Sequence, residues 1–481
     1  MTQTSPFSRL RLCVDCDIIF VNSRSVNSRS VKSGLRDCAK DVAMKFFDRK
    51  EELALLRRIR EESRGSARMT ILKGRRRIGK TSLLQKAYGD EDFLYFFVAR
   101  KNEADLCGDF AAEISRYLGL TLPGGASSFE SVFRFLLEVA QTRPITLVID
   151  EFQDFLRING SVFSAMQRDW DRLKGSARIN LVVSGSINRM MEQIFSADQP
   201  LYGRATNEID LMPFTTRSLK DILAFHSPGH SKESLLALWT FTGGVAKYVE
   251  LLMDQGAYTL ESMVKAMVSE GSIIPGEGRV LLVDEFGRDY ATYFSILSLI
   301  ASGKTSRAEI QSVLGEDIGG YLTKLDSEYR LIAKNVPFAS NGRNRNMRYV
   351  LNDNFYRFWF RFICKYQALL ELRAYGRLRE TVMRDYSVFS GKALEGYFVR
   401  KLAESGRYTR IGNWWNRKGE SEIDIVAVDD LSKKVDFFEV KREAVRFDRE
   451  LLARKAAEFF TVAGSLAKYK MRCRCLSLDD M

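Results

Sequence analysis

The feature that most constrains this chain is a glycine-rich turn between an apolar strand and a helix. The turn reads GRRRIGKTS and places Gly74, Gly79, Lys80 and Thr81 at the spacing GxxxxGK[ST]. The residues before it, MTILK (69–73), predict a buried strand, and those after it, LLQKA, predict a helix. Glycines let backbone N–H groups surround an anion, and the positive end of the helix adds to the attraction. A chance glycine-rich turn is the alternative, which this strand-to-helix context disfavours.

A loop of this pattern binds the phosphates of ATP together with Mg²⁺. We expect Lys80 to reach the β- and γ-phosphates and the hydroxyl of Thr81 to hold Mg²⁺. The predicted nucleotide contacts are Gly74, Arg75, Arg76, Arg77, Ile78, Gly79, Lys80, Thr81 and Ser82.

A second apolar strand, PITLVIDE, ends in the acids Asp150 and Glu151. Asp150 suits a carboxylate that binds Mg²⁺, and Glu151 suits the base that orients an attacking water molecule. Acids at the end of a strand also cap the following helix, which is the alternative interpretation.

Two further segments supply candidate nucleotide contacts. Ser184 and Ser186 follow the predicted strand 179–184, where a hydroxyl can sense the γ-phosphate, although both residues are also ordinary turn formers. Arg204 is a candidate arginine finger, which would act within the chain or across a subunit boundary. A surface arginine is the default alternative.

Apolar strands alternate with amphipathic helices from about residue 68, which predicts an α/β fold with a parallel sheet. Predicted strands cover 69–73, 93–98, 145–149, 179–184 and 207–211, then 408–412, 422–428 and 435–440. The predicted organisation is a flexible tail (1–43), a P-loop ATPase core (44–212), a helical lid (213–285), a winged helix-turn-helix (286–350), a helical linker (351–385) and an α/β terminal domain (386–481). The tail contains the polar repeat VNSRSVNSRSV, and Met44 is a candidate for the native start.

Several motifs in order resemble one family. FFDRKEELALL, GRRRIGKTSLL, LVIDEFQ, LVVSGS, PLYGR and FTGGVAKYVELL are similar to landmarks of the archaeal-type ATPases, which are AAA-like proteins allied to the STAND signalling NTPases. The resemblance covers about residues 44–270 and implies an ATP-hydrolysing P-loop enzyme. In the segment Gly243-Gly244-Val245-Ala246 an alanine stands where the family has proline.

The middle of the chain predicts a winged helix-turn-helix. Two helices joined by glycines are followed by a hairpin rich in arginine, and 318–329 is the expected recognition helix. The wing carries Arg343, Arg345 and Arg348, but Lys324 of the helix is offset by neighbouring acids. DNA binding and protein–protein docking both remain open for this module.

Four charged residues in the terminal domain form a candidate site. Glu395 lies on an amphipathic helix, Asp424 on a strand, and Glu439 and Lys441 share one face of the next strand. This order is the PD-(D/E)xK nuclease pattern, in which Asp424 and Glu439 would bind Mg²⁺ and Lys441 would activate water. A structural ion pair between Glu439 and Lys441 is the alternative.

Residues 386–460 also resemble the C-terminal domain of unknown function that accompanies the archaeal-type ATPases, a domain regarded as similar to restriction endonucleases. The resemblance rests on the pair Trp414-Trp415 before the acidic strand and on the acids that follow.

Net charge and cysteine content predict the kind of partner and the cellular compartment of this protein. The net charge is +13, which favours a polyanionic partner, and DNA is expected through the winged helix and the basic terminal domain. The seven scattered cysteines fit a reducing cytoplasm, and no apolar segment is long enough to span a membrane.

The predicted function is an ATPase whose nucleotide state controls winged-helix and nuclease-like modules that act on DNA. The alternatives are a STAND-like switch or scaffold with an inert terminal domain, and a DNA-binding regulator that uses the winged helix.

Overall fold

The computed structural model describes residues 46–89, 93–125, 127–186, 188–287, 290–340 and 347–481. The predicted tail and the candidate start at Met44 lie outside these residues. The described residues belong to one compact unit.

The strands of the segment predicted as an ATPase core form a parallel sheet in the order β2-β3-β4-β1-β5. They lie within two residues of the predicted positions. Their bounds are β1 Arg68–Lys73, β2 Leu94–Phe97, β3 Ile145–Asp150, β4 Ile179–Gly185 and β5 Asn207–Asp210. Because the strands are parallel, the loops that follow β1, β3 and β4 meet at the same edge of the sheet.

Helices cover both faces of this sheet, which is why its strands read as continuous apolar runs. The side chains of α3, α4 and α6 pack on one face, and those of α1 and α2 pack on the other. The helices are α1 Lys50–Glu62, α2 Lys80–Tyr88, α3 Glu103–Leu118, α4 Phe129–Thr142, α5 Phe155–Ile158, α6 Ser161–Leu173 and α7 Asn188–Ile194.

The predicted lid segment is helical. Thr215, Ser231 and Thr259 each accept a hydrogen bond from a backbone N–H of the first turn that follows, and so they fix where three of the helices begin. The helices are α8 Thr216–His226, α9 Lys232–Thr242, α10 Ala246–Asp254, α11 Leu260–Met267 and α12 Ile274–Phe286.

The segment predicted as a winged helix-turn-helix contains three helices and an antiparallel strand pair in its described residues. The elements are α13 Tyr290–Ala301, α14 Arg307–Leu314, α15 Gly319–Ser327, β6 Ile332–Asn335 and β7 Arg348–Leu351. The expected recognition helix corresponds to α15. Arg343 and Arg345 of the predicted wing lie outside the described residues.

The chain then continues through short helices into the terminal sheet. The helices are α16 Asn354–Phe358, a π-helix Trp359–Cys364, α17 Gln367–Glu371 and α18 Tyr375–Glu404. The predicted boundary between linker and terminal domain, at 385/386, lies inside α18. No described helix is both long and apolar enough to cross a lipid bilayer.

The terminal sheet has the order β11-β10-β9-β8, with β10 and β11 parallel and the other pairs antiparallel. Helix α18 packs on one face and α19 on the other. The elements are β8 Arg410–Trp415, β9 Glu422–Asp429, β10 Lys434–Val440, α19 Arg449–Val462 and β11 Lys470–Leu476. The chain order is therefore α-β-β-β-α-β.

Candidate functional site

The glycine-rich loop turns tightly between β1 and α2. Gly74 has φ +156°, and a Cβ added there would lie 2.7 Å from the carbonyl oxygen of Leu211. Gly79 has φ +94° at the start of α2. Both positions therefore require glycine, and the loop holds its backbone N–H groups at the positive end of the helix, as an anion site needs.

Lys80 and Thr81 point into this edge of the sheet. The Nζ of Lys80 is buried and donates to the carbonyl oxygens of Gly74 (2.9 Å) and Arg75 (3.3 Å). The hydroxyl of Thr81 lies 3.3 Å from Oδ2 of Asp150. The fold therefore brings together the lysine, the hydroxyl and the carboxylate that the sequence assigned to phosphate and Mg²⁺.

A residue that the sequence did not single out completes the surroundings of Asp150. Tyr95, on β2, donates its phenolic hydroxyl to Oδ2 of Asp150 at 2.6 Å. Burial, together with the charge of Asp150, raises the pKa of Tyr95. In the sequence, a tyrosine within an apolar strand is interpreted as a core residue. The contact becomes evident only from the pairing of β2 with β3.

Glu151 lies directly after β3 in a left-handed backbone conformation, with φ +52°. Its Oε2 accepts a hydrogen bond from the hydroxyl of Ser186 at 2.8 Å and one from the side-chain amide of Gln153. Ser186 therefore touches the predicted base. Ser184 lies on β4 and is fully buried, and its Oγ makes no hydrogen bond to the described residues.

The side chains of Arg75 and Arg77 turn toward acids from outside the ATPase core. Arg75 pairs with Asp353, which precedes α16, and Arg77 pairs with Glu277 of α12 (2.5 Å). Both acids are buried. The acids were not identified from the sequence because they lie 200 or more residues from the loop.

Arg204 lies at the opposite edge of the core sheet. The N–H of Thr206 bonds to the carbonyl of Met69 near the start of β1, whereas the glycine-rich loop follows the end of that strand. Arg204 forms an ion pair with Asp171 at 2.8 Å. The fold does not bring Arg204 to the loop of its own chain.

In the terminal domain, the predicted acids meet where β9 and β10 diverge. The backbone N–H of Val440 donates to Oδ2 of Asp424 at 2.8 Å, and Glu439 forms an ion pair with Lys441, also at 2.8 Å. A second lysine, Lys455 of α19, lies 3.4 Å from the other oxygen of Glu439. The sequence analysis did not identify Lys455.

Besides burial, the charge of Asp424 affects the pKa of Glu395, which links this residue to the acids of the cluster. Burial raises the pKa of Glu395 to about 6, against the ion pair with Lys392 and with help from the charge of Asp424. Burial also raises the pKa of Asp424, against the Val440 N–H and with help from Glu439. Burial works to lower the pKa of Lys441, but Glu439 outweighs it and the net shift is upward. Desolvated acids close to a cation are typical of functional sites.

The two places assigned to Mg²⁺ each offer two protein ligands. Among the described residues, no group of three or more His, Cys, Asp or Glu side chains is arranged to hold a metal ion. Mg²⁺ usually takes one or two protein ligands and completes its shell with water and substrate phosphates. The pair Thr81 and Asp150, beside a phosphate-binding loop, provides this number of ligands. The pair Asp424 and Glu439 provides it as well.

The parallel sheet, the strand-to-helix loop and the acids at the next strand end define a P-loop nucleotide-binding fold. Residues 46–252 match a family model described as an ATPase domain predominantly from Archaea. Residues 359–452 match a model of archaeal and bacterial proteins of unknown function. The first match confirms the predicted resemblance to archaeal-type ATPases, and the second confirms that a region matching proteins of unknown function follows it. The similarity of that region to restriction endonucleases stays a prediction.

Individual proteins are also similar to this chain in sequence or in structure. An uncharacterised protein of Methanocaldococcus jannaschii is 28% identical over 461 residues, which cover 90% of this chain and 99% of that protein. The Walker-type ATPase of Pyrococcus abyssi has a similar structure, with a TM-score of 0.50 and 19% identity over 66% of this chain and 96% of its own. The ORC2 protein of Aeropyrum pernix, in ADPNP and ADP complexes, gives a TM-score of 0.49 and 14% identity over 71% and 96% of the two chains.

Proposed function

We propose that this protein binds and hydrolyses ATP at the loop between β1 and α2. The observation that carries the proposal is the meeting of Lys80, Thr81, Asp150 and Glu151 at the carboxyl edge of one parallel sheet. The match of residues 46–252 to an ATPase domain supports the same conclusion.

Each residue has a distinct task in this proposal. Lys80 would exchange the carbonyls of its own loop for the β- and γ-phosphates, and Thr81 and Asp150 would hold Mg²⁺, which would supply positive charge beside those phosphates. Glu151 accepts the proton of the attacking water, and Ser186 and Gln153 fix the orientation of its carboxylate.

Nucleotide binding by a Lys80→Ala variant tests the proposal directly. A fluorescent ATP analogue should bind the wild-type protein in the presence of Mg²⁺, and the variant should lose that binding. Lys174→Ala is the matched control, because Lys174 is exposed and pairs with Asp171 away from the loop. Equal binding by wild type and the Lys80 variant would overturn the assignment.

We further propose that the nucleotide state controls the terminal domain, and that this domain is a metal-dependent nuclease acting on DNA. The α-β-β-β-α-β order and the placement of Asp424, Glu439 and Lys441 at the open end of two strands support the nuclease assignment. The basic composition of the chain supports a nucleic-acid partner.

A switch or scaffold without cleavage is the second candidate function, and specific contacts favour it. Lys441 and Lys455 together neutralise Glu439, which weakens its claim as a free metal ligand. Arg348 of the wing packs over Trp415 and lies 3.6 Å from Glu422, both in the terminal domain. The segment predicted as a winged helix therefore uses one of its cations, Arg348, in a contact within the chain.

Cleavage assays separate the two candidates. Purified protein with Mg²⁺ or Mn²⁺ should nick plasmid DNA under the nuclease proposal. If no form of DNA or RNA is cut while ATP still binds, the scaffold is the better description.

A further inference from the structure

Two arginines of the phosphate-binding loop are tied to parts of the chain outside the ATPase core. Arg75 forms an ion pair with Asp353, at the junction between β7 and α16. Arg77 forms an ion pair with Glu277 of α12, in the helical lid segment. The side chains of Asp353 and Glu277 are 3% and 6% exposed, so neither carboxylate is solvated well enough to stand without its partner.

The backbone at Arg77 shows what these contacts hold in place. Arg77 has φ +66°, a left-handed conformation that disfavours a residue with a Cβ. Such a conformation persists only where its surroundings impose it. Here the carbonyl of Arg77 accepts a hydrogen bond from the N–H of Lys247 at 3.1 Å, while Glu277 holds the side chain. The next residues, Ile78 and Gly79, lead directly into the amide groups that face the phosphates.

The carboxylate of Asp353 accepts hydrogen bonds from two different segments. One carboxylate oxygen accepts the backbone N–H of Tyr356 at 3.1 Å and caps α16, and the other pairs with Arg75. Burial works to lower the pKa of Arg75, but the Asp353 carboxylate outweighs it and the pKa is raised. Arg75 therefore stays charged, and α16 begins at a residue bound to the loop.

We propose that Glu277 and Asp353 are positioning residues for nucleotide binding, which hold the loop in its phosphate-binding shape through Arg77 and Arg75. This inference rests on the proposed ATP site. Movement of α12 or of the β7–α16 junction breaks an ion pair and relaxes the loop. By linkage, nucleotide binding in turn favours the arrangement in which both pairs are formed. The two pairs thus connect the proposed nucleotide site to α12 of the predicted lid and to the junction between β7 and α16.

Charge-removing variants that preserve shape test this proposal. Asp353→Asn keeps a good helix cap, since asparagine caps as well as aspartate, and Glu277→Gln keeps an acceptor for Tyr248. Each should weaken binding of a fluorescent ATP analogue by about tenfold, within the usual 5- to 150-fold range of coupling between sites. Asp385→Asn is the control, because Asp385 pairs with Arg361 and Arg384 and does not contact the loop.

A double variant distinguishes positioning from general destabilisation. If Asp353 acts through Arg75, Asp353→Asn should add no further loss of affinity to Arg75→Gln, whereas independent effects would add. Additive losses, or analogue affinity equal to wild type in both single variants, would overturn the inference. Failure of the wild-type protein itself to bind the analogue would instead overturn the proposed ATP site.

Discussion

The phenolic hydroxyl of Tyr95 lies 2.6 Å from Oδ2 of Asp150, the same oxygen that the hydroxyl of Thr81 approaches at 3.3 Å. The contact joins neighbouring strands, since β2 carries Tyr95 and β3 ends at Asp150. A phenol is protonated and can donate at neutral pH, and burial, together with the charge of Asp150, raises the pKa of Tyr95 further. The tyrosine therefore fixes the orientation of the carboxylate proposed to hold Mg²⁺.

Tyr95→Phe should raise the Mg²⁺ concentration needed for half-maximal ATP hydrolysis. Removing a residue that orients a metal ligand typically costs about 10- to 100-fold in metal affinity, and we expect the lower end because Thr81 remains. A Mg²⁺ titration of ATPase activity measures the effect. Tyr117→Phe, at a half-exposed position on α3, is the control. An unchanged Mg²⁺ requirement would remove Tyr95 from the site.

Glu151→Gln should separate binding of ATP from its hydrolysis. The amide keeps the size of the side chain but cannot take a proton from water, so kcat should fall by about 10²- to 10⁴-fold. Binding of a fluorescent ATP analogue should stay within a few-fold of wild type. Glu138→Gln, on the exposed side of α4, controls for loss of surface charge. Near-normal turnover in the Glu151 variant would show that another group is the base.

Asp424→Asn should abolish metal-dependent DNA cleavage while leaving ATP hydrolysis unchanged. The carboxylate is the half-buried acid next to Glu439, and its amide replacement loses the charge that would attract a divalent cation. Gel assays of plasmid nicking with Mg²⁺ or Mn²⁺, run beside ATPase assays, measure both activities. Asp430→Asn provides the control, since Asp430 pairs with Arg410 on the surface. Cleavage that survives in the Asp424 variant would place the metal elsewhere.

The parts of the fold that were predictable from sequence are those with local signals. An apolar run followed by GRRRIGKT predicts a strand, a loop and a helix without long-range information, and the observed β1 and α2 follow that order. Strand β11 was missed although its cations alternate with Met471, Cys473 and Cys475, because these residues favour strands less strongly than the Val, Ile and Phe of the predicted strands.

Contacts between distant segments limit how much of the site can be predicted from the sequence. Asp353 and Glu277 carry no mark in the sequence that distinguishes them from capping or surface acids, yet they hold the arginines of the loop. Arg204 shows the reverse case. Its position in PLYGR predicts an arginine finger, but the parallel order of β1 and β5 places it at the far edge of the sheet, away from the loop of its own chain. A role across a subunit boundary stays a prediction.

Glu395 should make the stability of the protein depend on pH. Its pKa is raised from 4.5 to about 6, so between these values the folded state holds more protons than the unfolded state. Stability therefore falls as pH rises through this window, and the cost above pH 6 approaches about 2 kcal/mol.

Glu395→Gln removes this titration, so the variant should gain stability relative to wild type between pH 4 and pH 7. The net upward shift of the Glu395 pKa already includes the opposing effect of the ion pair with Lys392, so loss of that pair in the variant does not reverse the gain. Melting temperatures across this range, measured with EDTA to exclude bound metal, report the difference. Glu420→Gln, at an exposed turn, should show a flat difference. A flat profile for Glu395→Gln as well would mean that this carboxyl ionises as it does in water, and its proposed desolvation within the terminal cluster would be wrong.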